Sequence, residues 1–402
     1  MKQTTKFPFM EEWKQYKLGE LLTLKYGKDH KSLKKGNIPV YGSGGVIRYA
    51  NNSLSIGPSI LIPRKGSLNN IIFVDKYFWT VDTMFWSIIN NIKVNPQYLY
   101  YYLKQIDFSS MNVGSAVPSL TVPIIENIDV TLPDLHTQNK IARILSSLEY
   151  KVELNKRIND NLEQQAQALF KSWFVDFEPF LREEFFKSDS LFGDIPVEWH
   201  IVAIKDLSVY ITDYVANGSF ASLRENVRLY DKPNYAHFIR NTDLKAESYK
   251  MYVDKHSYEF LSKSVLEGGE IIISNVGDVG SVFLCPKLEK PMTLGNNIIL
   301  LRPKKDYLTF YLYMLFKGGI GQHLIDGVTG GSAQRKFNKT DFKSIKLMMP
   351  PVNVLIKFDR IVKPIFSKIE ENRDEISRLT SLRDTLLPKL MSGEVKINET
   401  NN

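Results

Sequence analysis

Cysteine is almost absent from this 402-residue chain. Cys285 is the only one, which excludes an intramolecular disulfide and points to a reducing compartment. Long apolar runs are missing as well: nothing approaches the roughly 18 apolar residues of a membrane span. The stretch from Met1 to Trp13 holds no apolar core of the kind a secretory signal needs. The expectation is a cytoplasmic protein with no membrane segment. The six histidines are scattered, with neither an H-E-x-x-H pair nor a Cys/His cluster, so no zinc or other metal site is expected. A G-x-x-x-x-G-K-[ST] phosphate loop, a G-x-S-x-G elbow and a (D/N)-P-P-(Y/F) methyltransferase motif are all missing. One pattern mimics a nuclease, Pro133-Asp134 followed by Glu149-Tyr150-Lys151, but its E-x-K falls in a helical stretch rather than on a strand. The chain therefore reads as a binding protein with no catalytic residues of its own.

Hydrophobic residues make up 43% and charged residues 24%, a globular composition. The length exceeds one ordinary core and predicts two or three domains. A net charge of +8 favours a polyanionic partner, because Lys and Arg release counterions from phosphates; a basic surface kept for solubility is the plainer alternative.

The chain repeats itself. Gly114-Ser115-Ala116 falls on Gly331-Ser332-Ala333, 217 residues later, and Pro133, Lys140, Arg143 and Asn155 fall without gaps on Pro350, Lys357, Arg360 and Asn372. Upstream the match is weaker and its offset drifts. Ser59–Pro63 with Arg64-Lys65-Gly66-Ser67 resembles Glu270–Ile273 with the stretch that ends at Gly280, and Tyr98-Leu99-Tyr100 matches Tyr311-Leu312-Tyr313. Two lobes of one fold with loops of unequal length would look like this.

Behind Pro133 and Pro350 the pattern becomes a heptad. One seam reads Ile141, Leu145, Leu148, Val152, Asn155, Asn159, Leu162, Ala166, Leu169, Trp173. The other reads Phe358, Val362, Ile365, Ile369, Asn372, Ile376, Leu379, Arg383, Leu386, Leu390. Such a/d stripes belong to helices that pack lengthwise, and a stretch of roughly 35 residues would run roughly 50 Å. Neither stripe is buried alone, so each is expected to cover the other as an antiparallel coiled coil; an ordinary bundle core is the alternative. Asn155 and Asn372 take equivalent seam positions, where a buried amide fixes register. Pro364 is expected to kink the second helix or to start its main segment.

The expected architecture is thus α+β: two similar lobes joined by two long antiparallel helices, with a pseudo-twofold internal repeat. The boundaries read from the sequence are a first lobe over 1–135, a helix over 136–178, a linker over 179–195, a second lobe over 196–350, a helix over 351–392 and a tail over 393–402. Within the lobes, Ile38–Tyr41, Ser59–Pro63, Asn70–Asp75 and Glu270–Ser274 read as strands, and Pro96–Gln105 and Tyr307–Lys317 as short helices. Polar chemistry gathers in loops, namely Lys25–Lys35, Tyr41–Gly45, Arg64–Asn70 and Asn112–Ser119, then Ser222–Asn241, Asn275–Gly280 and Thr329–Lys339. Glycines let backbone approach a duplex, and Arg, Lys, Asn and Gln read major-groove edges. The candidate DNA-contacting residues are Lys28, Tyr41, Ser43, Arg48, Arg64, Lys65, Ser67, Asn69 and Ser115 in the first lobe. In the second they are Arg224, Arg228, Asn234, Arg240, Asn275, Asp278, Ser332, Gln334, Arg335 and Lys336.

The order of motifs resembles a known family. Leu132-Pro133-Asp134-Leu135-His136-Thr137-Gln138-Asn139-Lys140-Ile141 precedes the first heptad, and Leu169-Phe170-Lys171-Ser172-Trp173-Phe174-Val175-Asp176-Phe177-Glu178-Pro179 ends it. The second lobe opens at Gly193-Asp194-Ile195-Pro196-Val197-Glu198-Trp199. With Ile38–Gly45 and the Arg64-Lys65-Gly66-Ser67 turn, the whole chain is similar to HsdS, the specificity subunit of Type I restriction–modification enzymes. The second junction departs from the pattern, since Met349-Pro350-Pro351-Val352-Asn353 has no counterpart of Gln138. The resemblance implies a non-catalytic, sequence-specific reader of double-stranded DNA. Each lobe would read half of a split asymmetric site, while the helices set the spacer and dock two modification (methyltransferase) subunits. S-adenosylmethionine, ATP and Mg²⁺ would belong to the modification and restriction subunits, not to this chain. The competing readings are a stand-alone DNA-binding regulator, a self-contained restriction nuclease and a coiled-coil adaptor that binds only proteins.

Overall fold

A computed structural model describes residues 13–187, 192–331 and 334–395. The fold is α+β with two helices of 40 residues, α1 (Leu135–Phe174) and α2 (Val352–Met391). The chain divides into two compact units, Met1–Lys156 with Asp374–Asn402, and Arg157–Arg373. The cut points Lys156 and Arg373 lie 217 residues apart, the spacing of the repeat. They fall inside both long helices, not at the helix ends where the residue pattern changes.

In the first unit, the lobe is built on an antiparallel sheet in the order Leu22–Tyr26, Met84–Ile89, Ser59–Pro63, Ile72–Val74. Ser59–Pro63 is buried at every residue, so its apolar run shows no alternation. A second sheet runs Gly45–Ala50, Lys35–Gly42, Tyr77–Thr80, Ser55–Ile56 and has a parallel pairing at its centre. A two-stranded ladder ties Lys14–Lys17 to Asp129–Leu132. The helix Pro96–Leu103 starts where Asn95 accepts the Tyr98 N–H and Pro96 supplies a preset φ.

The second unit repeats the plan. Its antiparallel sheet runs Val209–Asp213, Ile298–Pro303, Ile271–Ser274, Val282–Leu284. Its other sheet runs Leu229–Tyr230, Tyr252–Val253, Ala236–Ile239, Met292–Leu294, Val265–Leu266, again with a central parallel pair. His200–Ala203 pairs with Lys346–Met349, as Lys14–Lys17 does with Asp129–Leu132. The stretch Ser222–Asn241, expected as a loop, is ordered instead as the helix Phe220–Asn226 and two strands. Ser219 caps the helix, and Leu223, Ala236 and Phe238 are buried together. This extra structure explains the drifting offset upstream.

Both units pack α1 against α2 in antiparallel fashion. In the first, Ile141, Ala142 and Leu145 share a core with Leu390 and Met391, with Leu386 and Leu387 partly buried beside them. In the second, Ala166, Phe170 and Phe174 share a core with Phe358, Val362, Phe366 and Ile369, joined by Leu162, Leu169 and Ile365. Of the remaining seam residues, Leu148, Val152, Ile376 and Leu379 are half-buried. Asn155 and Asn372 are buried but take separate partners. Asn155 donates to Glu375 at 2.8 Å in the first unit, and Asn372 donates to Asn159 at 2.8 Å in the second. α2 runs unbroken through the exposed Pro364, which therefore starts no segment; the carbonyl it orphans belongs to Arg360, an exposed residue.

The helix ends are fixed by particular side chains. Asp134 accepts the Thr137 N–H at 3.0 Å and the Thr137 hydroxyl at 2.7 Å, so it caps α1, and these bonds hold its carboxyl below the usual range. Buried Gln138 donates to the Pro133 carbonyl and accepts the Asn95 N–H; the equivalent position in α2 is the buried Leu355. At the other end of α1, Phe170, Trp173 and Phe174 surround Phe358. The Phe174–Phe358 centroids lie 4.7 Å apart, and Phe174 and Phe180 both contact Trp199. That aromatic cluster accounts for the Phe/Trp-rich motif 169–179.

Each lobe is also tied to α1 by polar bonds. In the first unit Tyr101 donates to Glu149, which Arg383 also meets. In the second, Tyr313 and Lys317 both donate to Glu163. Burial raises the Glu163 pKa, but the bonds from Lys317 and Tyr313 outweigh it and hold the carboxyl below its ordinary range. A folded value below the unfolded one contributes stability above the ordinary carboxylate pKa, lost as pH falls through the depressed value. Glu163→Gln should flatten the acid limb of the stability curve, measured by urea unfolding from about pH 7 to about pH 3. An acid limb as steep as that of the unaltered chain would exclude this tie as a contributor.

Candidate nucleic-acid interface

In each lobe one polar loop, Arg64–Asn70 or Asn275–Gly280, leaves one end of the antiparallel four-stranded sheet. In the first lobe that end is marked by the pairs Tyr26 with Phe85 and Pro63 with Met84. In the second it is marked by Asp213 with Ile299 and Ser274 with Ile298. Here two loops far apart in sequence are bonded backbone to backbone. In the first lobe, the Gly66 N–H donates to the Pro118 carbonyl at 3.0 Å, the Leu120 N–H donates to the Arg64 carbonyl at 2.9 Å, and Lys65 bridges Ser119.

The second lobe repeats the clamp bond for bond. The Gly277 N–H donates to the Arg335 carbonyl at 2.9 Å, the Phe337 N–H donates to the Asn275 carbonyl at 3.1 Å, and Val276 bridges Lys336. These bonds align Arg64 with Asn275, one residue further on than the apolar runs before them suggest. Glycine is required at matching places. Gly66 and Gly277 have φ of +90° and +77°, open to a residue without Cβ. A Cβ on Gly114 would stand 2.0 Å from the Val117 carbonyl oxygen, and one on Gly331 would stand 2.3 Å from that of Gln334.

On this shared frame the side chains differ. The first lobe carries its cations on the first loop, where Arg64 and Lys65 stand in place of Asn275 and Val276. The second carries them on the second loop, where Arg335 and Lys336 stand in place of Pro118 and Ser119. Arg64 donates to the Asp82 carbonyl at 3.2 Å and lies 5.4 Å from the ring centre of the exposed Tyr26. Lys65 and Lys336 are exposed, and Arg335 meets the exposed Asp326.

The other candidates divide into neighbours of the clamp and residues elsewhere. Ser43 accepts from the Asn70 side chain at 2.8 Å through its carbonyl, and Ser67 is exposed beside Gly66. Asn69 bonds Asp107 and the Ser109 N–H, closing a cleft of about 490 Å³ that Asn112 and Pro118 also line. Ser115 is exposed on the second loop. Lys28 and Tyr41 join the same end through backbone bonds to Thr80 and Val81. Arg48 donates to the Leu33 carbonyl within the second sheet.

In the second lobe Asn275 donates to the Phe337 carbonyl and Gln334 is exposed. Asp278 is held by Lys245, Ser281 and Asn241, whose bonds pull its carboxyl down to about 2, so it organises its loop as an anion. Arg240 grips Asp243 through two nitrogens, at 2.8 and 2.7 Å, which occupies its fork. Arg224 is exposed on the helix Phe220–Asn226, Arg228 is bonded through its N–H to Ser257, and Asn234 caps the Tyr235 N–H. Ser332 lies outside the described residues. Val113 and Val117, not among the sequence candidates, are 56% and 54% exposed on the second loop. The only signal for Val117 was the repeat, which sets it opposite Gln334.

The nuclease-like pattern dissolves. Asp134 caps α1, and Glu149, about 22 Å away along the helix at 1.5 Å per residue, bonds Tyr101 and Arg383. Among the described residues no group of His, Cys, Asp and Glu could hold a metal ion, and no helix is long and apolar enough to cross a membrane.

Residues 10–164 and 196–379 match the family model of the Type I restriction modification DNA specificity domain. The chain is 27% identical over 328 residues to the Type I restriction enzyme MjaIX specificity subunit of Methanocaldococcus jannaschii, covering 80% of this chain and 74% of that one. It is 24% identical to the HindI specificity subunit of Haemophilus influenzae, covering 96% of this chain and all 100% of that one. In fold it is similar to the crystal structure of a Type I restriction–modification S subunit from M. genitalium. The TM-score is 0.60 at 17% identity, covering 94% of this chain and 96% of that one.

Gly114→Ala and Gly331→Ala force their loops to move, since the added carbon meets a backbone oxygen. The clamp amides of Gly66 and Leu120, or of Gly277 and Phe337, should then exchange hydrogen faster while the unfolding midpoint hardly changes. Unchanged protection of those amides would show that the glycines are dispensable to the clamp.

Proposed function

The chain belongs to the family of Type I restriction–modification DNA specificity subunits, and from that premise we propose that each lobe reads one half of a split, asymmetric DNA site. The family is non-catalytic, so this subunit selects the DNA on which its partners act. The observation that carries the reading is the clamp: one backbone frame, present in both lobes, that displays different side chains. A shared frame presents both lobes' loops to a duplex alike, and unlike side chains make the two half-sites differ.

The long helices act as the ruler. Each would run about 60 Å at 1.5 Å per residue, enough to separate half-sites one or two turns apart on DNA, about 34 Å per turn. In this reading they also dock two modification subunits, which bring S-adenosylmethionine and methylate adenine. Restriction subunits add the ATP- and Mg²⁺-dependent translocation and cleavage. The sequence supports placing those cofactors on partners, since it carries neither a phosphate loop nor a methyltransferase motif.

Deleting one heptad from each helix, with the host genome then sequenced for methylated adenine, should shorten the unspecified spacer and leave both half-sites unchanged. A spacer of the original length would refute the ruler. Neutralising Arg64 with Lys65, or Arg335 with Lys336, should weaken DNA binding by the complex. A phosphate contact is recognised by a loss common to all sequences and a salt slope shallower by about one per contact, a base contact by lost discrimination at one position.

A further inference from the structure

The two lobes hold position 117 and position 334 in the same place. Val117 and Gln334 precede the carbonyls that accept the clamp bonds, those of Pro118 and Arg335. Their own carbonyls are the ones a Cβ on Gly114 or Gly331 would strike. The backbone there is thus pinned alike on both sides, yet the side chains are chemical opposites. Val117 is a branched apolar group left 54% exposed between polar loops, with Arg64 and Lys65 across the clamp. Gln334 is an exposed amide whose Nε2 lies 3.9 Å from where a Cβ on Gly277 would stand.

An exposed valine on an uncharged loop, facing the cationic loop of Arg64 and Lys65, gains nothing from water. In a major groove its one specific partner is the C5-methyl of thymine, whereas glutamine pairs with the N6 and N7 edge of adenine. Resting on the proposed reading of DNA by these loops, we infer that 117 and 334 are the equivalent base-reading position of the two lobes. Val117 accepts a thymine methyl in one half-site, and Gln334 accepts an adenine in the other.

The test uses the chain in complex with its modification subunits and duplexes carrying the motif found by methylome sequencing. Each thymine of the first half-site is replaced in turn by uracil, which lacks only the methyl. One such replacement should weaken binding about fourfold, the worth of one buried methyl at about 0.8 kcal/mol. Val117→Ala should be insensitive to that replacement and Val117→Ile should keep the sensitivity. At one position of the second half-site, 7-deazaadenine should cost about tenfold or more, and Gln334→Val should abolish the difference. In each variant the untouched lobe serves as the control for folding.

No uracil-sensitive thymine in the first half-site, sensitivity that survives Val117→Ala, or a loss equal on all duplexes would overturn the inference for Val117. No 7-deazaadenine-sensitive adenine in the second half-site, a difference that survives Gln334→Val, or a loss equal on all duplexes would overturn it for Gln334. Failure of the reading beneath it looks different. If these loops do not meet DNA, neutralising Lys65 and Lys336 leaves affinity and salt slope unchanged; if only the inference fails, those charge changes still weaken binding.

Discussion

An apolar stripe that repeats every 3.5 residues along a 40-residue helix cannot face water over its whole length, and this chain carries two such stripes. Their mutual burial is the constraint on which the other features rest. In the first unit the early part of α1 lies against the late part of α2, and in the second the late part of α1 lies against the early part of α2. The apolar contacts are not directional, so polar residues set the register. Asn155, which bonds Glu375 in one unit, and Asn372, which bonds Asn159 in the other, are buried amides that a shift of the helices would strand without partners.

The lobes use the opposite strategy. Their sheets and clamp are held by backbone hydrogen bonds, which any residue other than proline can donate. The identity of the side chains is then free to change while the frame stays. Charge has moved from the first clamp loop to the second between the lobes, and a valine stands where the other lobe has glutamine. Two positions escape this freedom. Gly66 and Gly277 need a left-handed φ, and the space beside Gly114 and Gly331 is filled by a carbonyl oxygen.

Cations near the clamp also divide by their partners. Arg240 spends its fork on Asp243 and Lys245 spends its charge on Asp278, so both shape the second lobe. Lys65 and Lys336 are exposed on the clamp itself, and Arg335 is matched with the exposed Asp326, a pair worth little in water. Net charge alone would have counted all of these as equal.

By itself the sequence determined the repeat, the two heptads, the α+β class and the family, because each is written in the order and period of residues along the chain. It placed the helices near Pro96 and Thr309 for the same reason, since the Asn95-Pro96 start and the apolar run Tyr311–Phe316 are local signals. The order of the strands, the ordered stretch within Ser222–Asn241, the separate partners of Asn155 and Asn372, and the match of Arg64 to Asn275 came only with the tertiary structure. These depend on bonds between residues far apart in the chain. Whether Lys245 meets the Asp278 carboxylate and whether Val117 is left bare are decided by what folding brings beside them, which no local pattern records.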